Sequence, residues 1–164
     1  MVPARTFLNP PPAADLLAEL TAFGKLLAAV LADPTTDWKR RPAASDWSLN
    51  EIACHLRDVE REVHQARLRA ILEEEGAFVP GVDADEWADE RDYWSQNGRA
   101  ALADFLRYRR ETIELLTPLP PEVWDRQGQH TFFGPTSLHE LVYLAVQHDR
   151  IHAQQLAALS RIKQ

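Results

Sequence analysis

Apolar residues recur at helical spacing in four separate runs of this chain. Leu16, Leu20, Phe23, Leu27 and Val30 step by three and four residues, the period of an amphipathic helix that ends near Asp33-Pro34. Leu49, Ile52, Leu56, Val59, Val63, Ala66 and Ala70 form the most regular stripe. Ahead of it, Ser48-Leu49-Asn50-Glu51 is a capping box: the Ser hydroxyl accepts from the Glu51 amide while the Glu51 side chain reaches back. A second helix is predicted from there to Glu75, roughly 40 Å long at 1.5 Å per residue. Leu102, Phe105, Leu106, Ile113 and Leu116 mark a third, stopped by Pro118, Pro120 and Pro121. Ser137-Leu138-His139-Glu140 repeats the capping device and opens a fourth, whose stripe is Leu138, Leu141, Ala145, Leu156 and Leu159.

Between these runs the period is lost. Residues 1–12, with three consecutive prolines at the end, read as an extended lead, and Lys39-Arg40-Arg41 as part of a solvated turn. Residues 76–97 carry acids (Asp83, Asp85, Glu86, Asp89, Glu90) and the aromatics Trp87, Tyr93 and Trp94. A calcium-loop reading fails there, because Trp87 and Trp94 occupy ligand positions and no central glycine is present. The stretch is read instead as a long crossover, and 123–133 as a loop with one short hairpin before the Gly134-Pro135 break. Four amphipathic helices with long connections after the second and third give an all-α class: a four-helix bundle, up-down-down-up, in one domain spanning 1–164.

Composition narrows the function. The chain has 164 residues, 45% of them hydrophobic, and a formal net charge of −7. Without a Lys/Arg-rich block, nucleic acid and anionic membranes are poor partners. No apolar run reaches signal-peptide or bilayer-spanning length, so a cytoplasmic location is expected. Lone Cys54 excludes an internal disulfide and a thiolate zinc cluster, and its place nearly opposite the second helix's stripe marks it as inert. Any metal would fall to histidine and carboxylate.

His148 and His152 lie four apart in the middle of the fourth helix's stripe, which points both imidazoles inward from adjacent turns. His55, on the flank of the second helix's stripe, can face the same interior, and antiparallel packing of the two helices brings the three nearly level. Three imidazoles from two helices make an open shell for Zn²⁺, Ni²⁺ or Fe²⁺. The alternative is core histidines bonded to one another, a carboxylate or water. His64, His130 and His139 fall off the stripe, in a loop and in a first helical turn, and read as surface or capping residues. Asp149 gives the pair the look of a shortened HExxH protease motif, but its side chain points about 100° away from His148 on a helix. Glu51 and Asp58, four before and three after His55, are candidates to accept its remaining ring N–H. Arg109 on an apolar stripe is either a snorkelling side chain or a pocket cation. The aromatics Trp47, Trp87, Tyr93 and Trp94 read as core or interface residues that could also wall a pocket over the metal.

The run Trp47-Ser48-Leu49-Asn50-Glu51-Ile52-Ala53-Cys54-His55-Leu56-Arg57-Asp58-Val59-Glu60 resembles the second-helix motif of the DinB/YfiT-like superfamily. His148-Asp149-Arg150-Ile151-His152-Ala153-Gln154-Gln155-Leu156 is similar to its last-helix motif. Many relatives carry Arg-Gly-Gln after the last ligand; here Ala153-Gln154-Gln155 keeps only the glutamine. The resemblance covers the whole chain and implies a bundle, often dimeric, with His55, His148 and His152 binding a divalent metal, frequently nickel or zinc. It further implies a metal-dependent enzyme acting on small molecules, by hydrolysis or by transfer of a low-molecular-weight thiol such as bacillithiol or mycothiol. The absence of a convincing general base leans the expectation toward thiol transfer. A non-catalytic, stress-associated binding bundle with a structural or incidental metal is the competing expectation.

Overall fold

The computed structural model describes residues 9–161, so most of the predicted extended lead lies outside the described residues. Helix α1 (Ala13–Ala32) buries Leu16, Leu20, Phe23 and Leu27, the stripe read from the sequence. The connection after it folds back so that Arg41 ion-pairs with Glu51 at 2.6 Å and lies over the Trp94 ring. It is therefore more than a solvated turn.

Helix α2 (Leu49–Val59) starts at the predicted cap, with both halves of the Ser48–Glu51 capping box made. It continues through a π-helical turn, Glu60–Gln65, into α3 (Ala66–Glu73). That turn corrects the single uninterrupted stripe. A π turn inserts one residue into the helical count and rotates the residues beyond it by about 100°. Ala66 and Ala70, expected inward, are exposed and half-buried, while Leu68 and Ile71 take the core positions.

The crossover is structured. Strand β1 (Phe78–Val79) is followed by a short helix α4 (Trp87–Glu90) and a 3₁₀ turn at Tyr93–Ser95. Asn50 pins its end: Nδ2 donates to the carbonyls of Tyr93 (2.7 Å) and Gln96 (2.9 Å), and Oδ1 accepts from Gly98 N at 2.8 Å. A Cβ on Gly98 would stand 2.8 Å from the Asn50 Cα, so only glycine permits this approach. Tyr93 covers the far side of α2 and leaves Cys54 fully buried, rather than merely off the stripe. Burial pushes the Cys54 thiol up to about 11, in keeping with an inert residue.

Helix α5 (Gly98–Leu116) is capped by Asn97, whose side chain accepts from Ala100 N. After it come α6 (Pro121–Trp124), β2 (Gln127–His130) and β3 (Gly134–Ser137). A hairpin does form, but as β2–β3: its second strand runs through Gly134-Pro135, which the sequence reading took as the break after it, and β1 adds to it in parallel, in the order β1-β2-β3. The all-α expectation thus omits a small sheet on a mainly helical chain. Helix α7 (Leu138–Arg161) opens where expected, with Ser137 N donating to Glu140 Oε2 at 2.6 Å and Glu140 N to Ser137 Oγ at 3.1 Å.

Along α5, Asn50 meets Gly98, Glu60 meets Arg109 and Gln65 meets Thr112, while on α1 Leu31 meets Arg99 and Leu20 meets Arg109. The core divides into one apolar cluster around Leu20, Ile71, Leu116 and Leu141, and another around Leu27, Ile52, Tyr93 and Phe105. Arg109 lies on α5 between Phe105 and Leu116. Its guanidinium bonds Glu60 from the π turn (both 2.9 Å) and Asp149 from α7 (2.7 and 3.0 Å). At 2% exposure it neither snorkels nor serves a pocket, which replaces both sequence readings. It bolts together the two helices that carry the histidines.

Candidate metal centre

His55 from α2 and His148 and His152 from α7 meet in the bundle, with Nε2 of His148 3.0 Å from Nε2 of each partner. All three ligand atoms fall within 4.8 Å of one another. Nitrogens bound at 2.0–2.1 Å to one tetrahedral zinc stand about 3.3 Å apart, so this spacing fits a shared ion. The protonation pattern fits as well. His152 Nδ1 donates to Gln155 Oε1 at 2.7 Å, which keeps its proton on Nδ1 and leaves the Nε2 lone pair facing inward. Three neutral rings with convergent Nε2 atoms cannot all satisfy one another by hydrogen bonds, because one nitrogen can donate only once. A cation resolves the conflict.

Burial enforces the neutral form. It drives His55 down to about 3, with the neighbouring His152 adding to the effect, and lowers His148 and His152 too. Among the described residues His55 Nδ1 makes no hydrogen bond of ordinary geometry, although the Ala84 backbone acts on that ring as an acceptor. Trp47 closes one side, its ring parallel to His152 at 6.5 Å and tilted against His55 at 4.9 Å. Of the four aromatics singled out in the sequence, it alone walls the centre.

Glu51 and Asp58 do not reach His55. Glu51 is consumed by the cap and Arg41, and Asp58 by Arg57, Arg91 and the Tyr93 hydroxyl, which donates to it at 2.8 Å. Glu51 thus faces the connection after α1, and Asp58 faces the crossover. Asp149 likewise turns to Arg109, away from the histidines, which rules out the protease motif. Gln155 does contact a candidate ligand. His139 is a terminus residue, its Nε2 at 2.7 Å from the Pro11 carbonyl.

Two histidines depart from the sequence reading. His64, expected off the stripe, is 8% exposed with its ring edge-on to His148 at 5.3 Å. The π turn rotates it inward, a displacement that a strict 3.6-residue count misses. Its Nε2 has no hydrogen-bond partner among the described residues, and burial lowers the ring to about 4. His130 is not a surface loop residue but a buried residue of β2.

Two clefts open on the centre. One, of about 660 Å³, is lined by Trp47, Asp46, His148, His152 and Gln155; the other, of about 330 Å³, by His55, His64, His130 and His148. Asp85 lines both, and its charge acts on His152. Sequence reasoning placed Asp85 only among the crossover acids, and nothing in an aperiodic stretch shows which acid the fold turns inward.

The DinB superfamily model matches residues 16–156, which takes in all three histidines and extends from within α1 to within α7. The chain belongs to the DinB superfamily. A solved structure of similar fold is YfiT from Bacillus subtilis, described as a probable metal-dependent hydrolase with an unusual four-helix bundle topology. It is 18% identical, with a TM-score of 0.78 over 94% of this chain and 91% of that one, a likeness that carries the fold. None of the curated proteins compared with the chain matches it. Among the described residues, no helix of this superfamily member is long and apolar enough to cross a membrane.

Proposed function

We propose that this DinB-superfamily protein is a metal-dependent hydrolase of a small molecule, its divalent ion held by His55, His148 and His152. The observation that carries the reading is the convergence of three Nε2 atoms, 3.0 Å apart at His148, beside two clefts. A divalent ion there would supply Lewis acidity, lowering the pKa of water and polarising the scissile group. The chain's own residues do the rest. Asp85, at the junction of the clefts, receives the proton that water gives up, a role that needs a carboxylate open to solvent. Gln155 fixes the His152 tautomer, and Trp47 shields one side of the centre. Zinc and nickel suit three imidazoles best, with Fe²⁺ also compatible.

The larger cleft supports a second reading, transfer of a low-molecular-weight thiol, because its 660 Å³ admits a thiol cofactor as well as an electrophile. Asp85 favours hydrolysis, since it supplies the general base that the sequence alone did not reveal. The same account takes the protein as a homodimer in the cytoplasm, a single domain over 1–164. It takes the path of the long helices as up-down-down-up, which the ascending Asn50–Gly98, Glu60–Arg109 and Gln65–Thr112 pairs support.

The test is a panel of esters, amides and lactones, run beside thiol–electrophile pairs, on zinc- and nickel-loaded protein. Hydrolysis that falls about 10²- to 10⁴-fold in Asp85→Asn supports the proposal. Turnover only with a thiol, indifferent to Asp85, supports the second reading. No turnover, together with a sharp loss of melting temperature on chelation, would leave a structural metal in a non-catalytic bundle.

A further inference from the structure

The 330 Å³ cleft contains a cation that the fold leaves unmatched. Arg67, on α3 just after the π turn, is half-buried, and its Nη2 donates to the Pro80 carbonyl at 2.8 Å. Among the described residues its buried Nε has no acceptor and no carboxylate lies within ion-pair distance. The contrast with Arg109, matched by two carboxylates, is direct. A guanidinium taken partly out of water without an anion is costly, and the cost is recovered when an anion arrives. Across the same cleft His130 Nδ1 accepts from Phe132 N at 3.1 Å, which places that ring's proton on Nε2 as a second donor. Apolar side chains, Val63, Phe133 and Leu144, line the cleft beside the His55–His148 face, and Asp83 and Asp85 add two carboxylates to its rim.

We propose that this cleft is a subsite for a small carboxylate with an apolar body, its anionic end held by Arg67 and His130 and its body against Phe133 and Leu144. A planar carboxylate matches the guanidinium edge, and a volume of 330 Å³ accommodates a ring or a branched chain. Asp83 and Asp85 line the same cleft and disfavour a dianion such as phosphate relative to a monoanion. As a substrate pocket the cleft depends on the metal-centre reading; as an anion site it does not, because Arg67 and His130 are outside the metal triad.

The experiment therefore titrates benzoate into metal-free, ¹⁵N-labelled protein, followed by amide shifts and calorimetry, and separately measures zinc stoichiometry. Binding with a Kd on the order of 1 mM is expected, with shifts at Gly81, Phe132 and Phe133. Arg67→Gln weakens it at least about tenfold, benzamide binds at least about tenfold more weakly than benzoate, and Arg61→Gln on the exposed face changes nothing. Should Arg67→Gln fail to fold, the wild-type shift map decides. Shifts confined to the neighbourhood of Trp47 and Gln155, an unaffected Arg67→Gln, tighter binding of inorganic phosphate than of benzoate, or no benzoate binding at about 20 mM each overturns the proposal. Absent zinc with intact, Arg67-dependent benzoate binding removes the hydrolase reading and leaves the anion site.

Discussion

Replacing Arg109 with methionine removes the one cation that serves two buried carboxylates. The side chains of Arg109, Glu60 and Asp149 are 2%, 1% and 6% exposed, so solvent cannot take over its role. Two carboxylates against one guanidinium already exceed its charge, and burial pushes Asp149 up to about 6 while Arg109 holds Glu60 below the usual carboxylate range. Without Arg109, five hydrogen bonds are lost, to Glu60, Asp149 and the Leu20 carbonyl, and two acids are stranded. Breaking a buried ion pair from one side costs about 3–5 kcal/mol. At about 3 °C per kcal/mol for a chain of this size, the melting temperature should fall by about 9–15 °C. Urea unfolding followed by far-ultraviolet circular dichroism measures the same loss directly. The triple variant Glu60→Gln, Arg109→Met, Asp149→Asn should return to within about 2 kcal/mol of the wild type, because no charge is then left unpaired. An Arg109→Met protein within about 1 kcal/mol of the wild type would refute the account of this triad.

The histidine cluster makes the metal-free protein acid-labile. His55 and His64 sit at about 3 and about 4 in the folded state, below the ordinary value near 6.5, so the unfolded chain takes up protons first. Their contribution is complete above about pH 6.5 and is lost as the pH falls, down to about 4 for His64 and about 3 for His55, at up to about 1.4 kcal/mol per pH unit for each histidine. A urea midpoint in chelator that stays flat from pH 7 to 5 would contradict this. Gln155→Leu removes the acceptor for His152 Nδ1–H and should weaken zinc binding about 10- to 100-fold in a competition titration, with little change in melting temperature. Ser48→Ala removes half of the capping box and should cost about 1 kcal/mol in urea unfolding, leaving zinc stoichiometry unchanged.

The parts legible in sequence are those governed by local rules. Caps at Ser48 and Ser137 announce themselves within four residues, and the stripe of α1 is a matter of period. The convergence of His55 with His148 and His152 was reachable because α2 keeps its period up to Val59. Beyond Val63 the buried face is displaced by one position from a strict helical count. The π turn misassigned Ala66 and Ala70 and hid His64, and nothing in Glu60–Gln65 marks an inserted residue by composition. Arg109 was misread for a different reason: its partners, Glu60 and Asp149, are 49 and 40 residues away, and a charge on an apolar stripe names no partner. Asp85 and Arg67 matter through the groups that the crossover and the small sheet bring beside them, and a two-residue strand such as β1 is too short to carry a period.

The central claim is that His55, His148 and His152 hold one divalent ion between them. The most direct measurement is elemental analysis of untagged protein after equilibration with zinc or nickel and removal of excess, for the wild type beside His148→Ala. His148 is the variant of choice because its Nε2 lies 3.0 Å from both partners. The account predicts about one ion per wild-type chain and a small fraction of that in the variant, with both proteins folded. A wild-type stoichiometry near zero, or a variant that retains its ion in full, would contradict it.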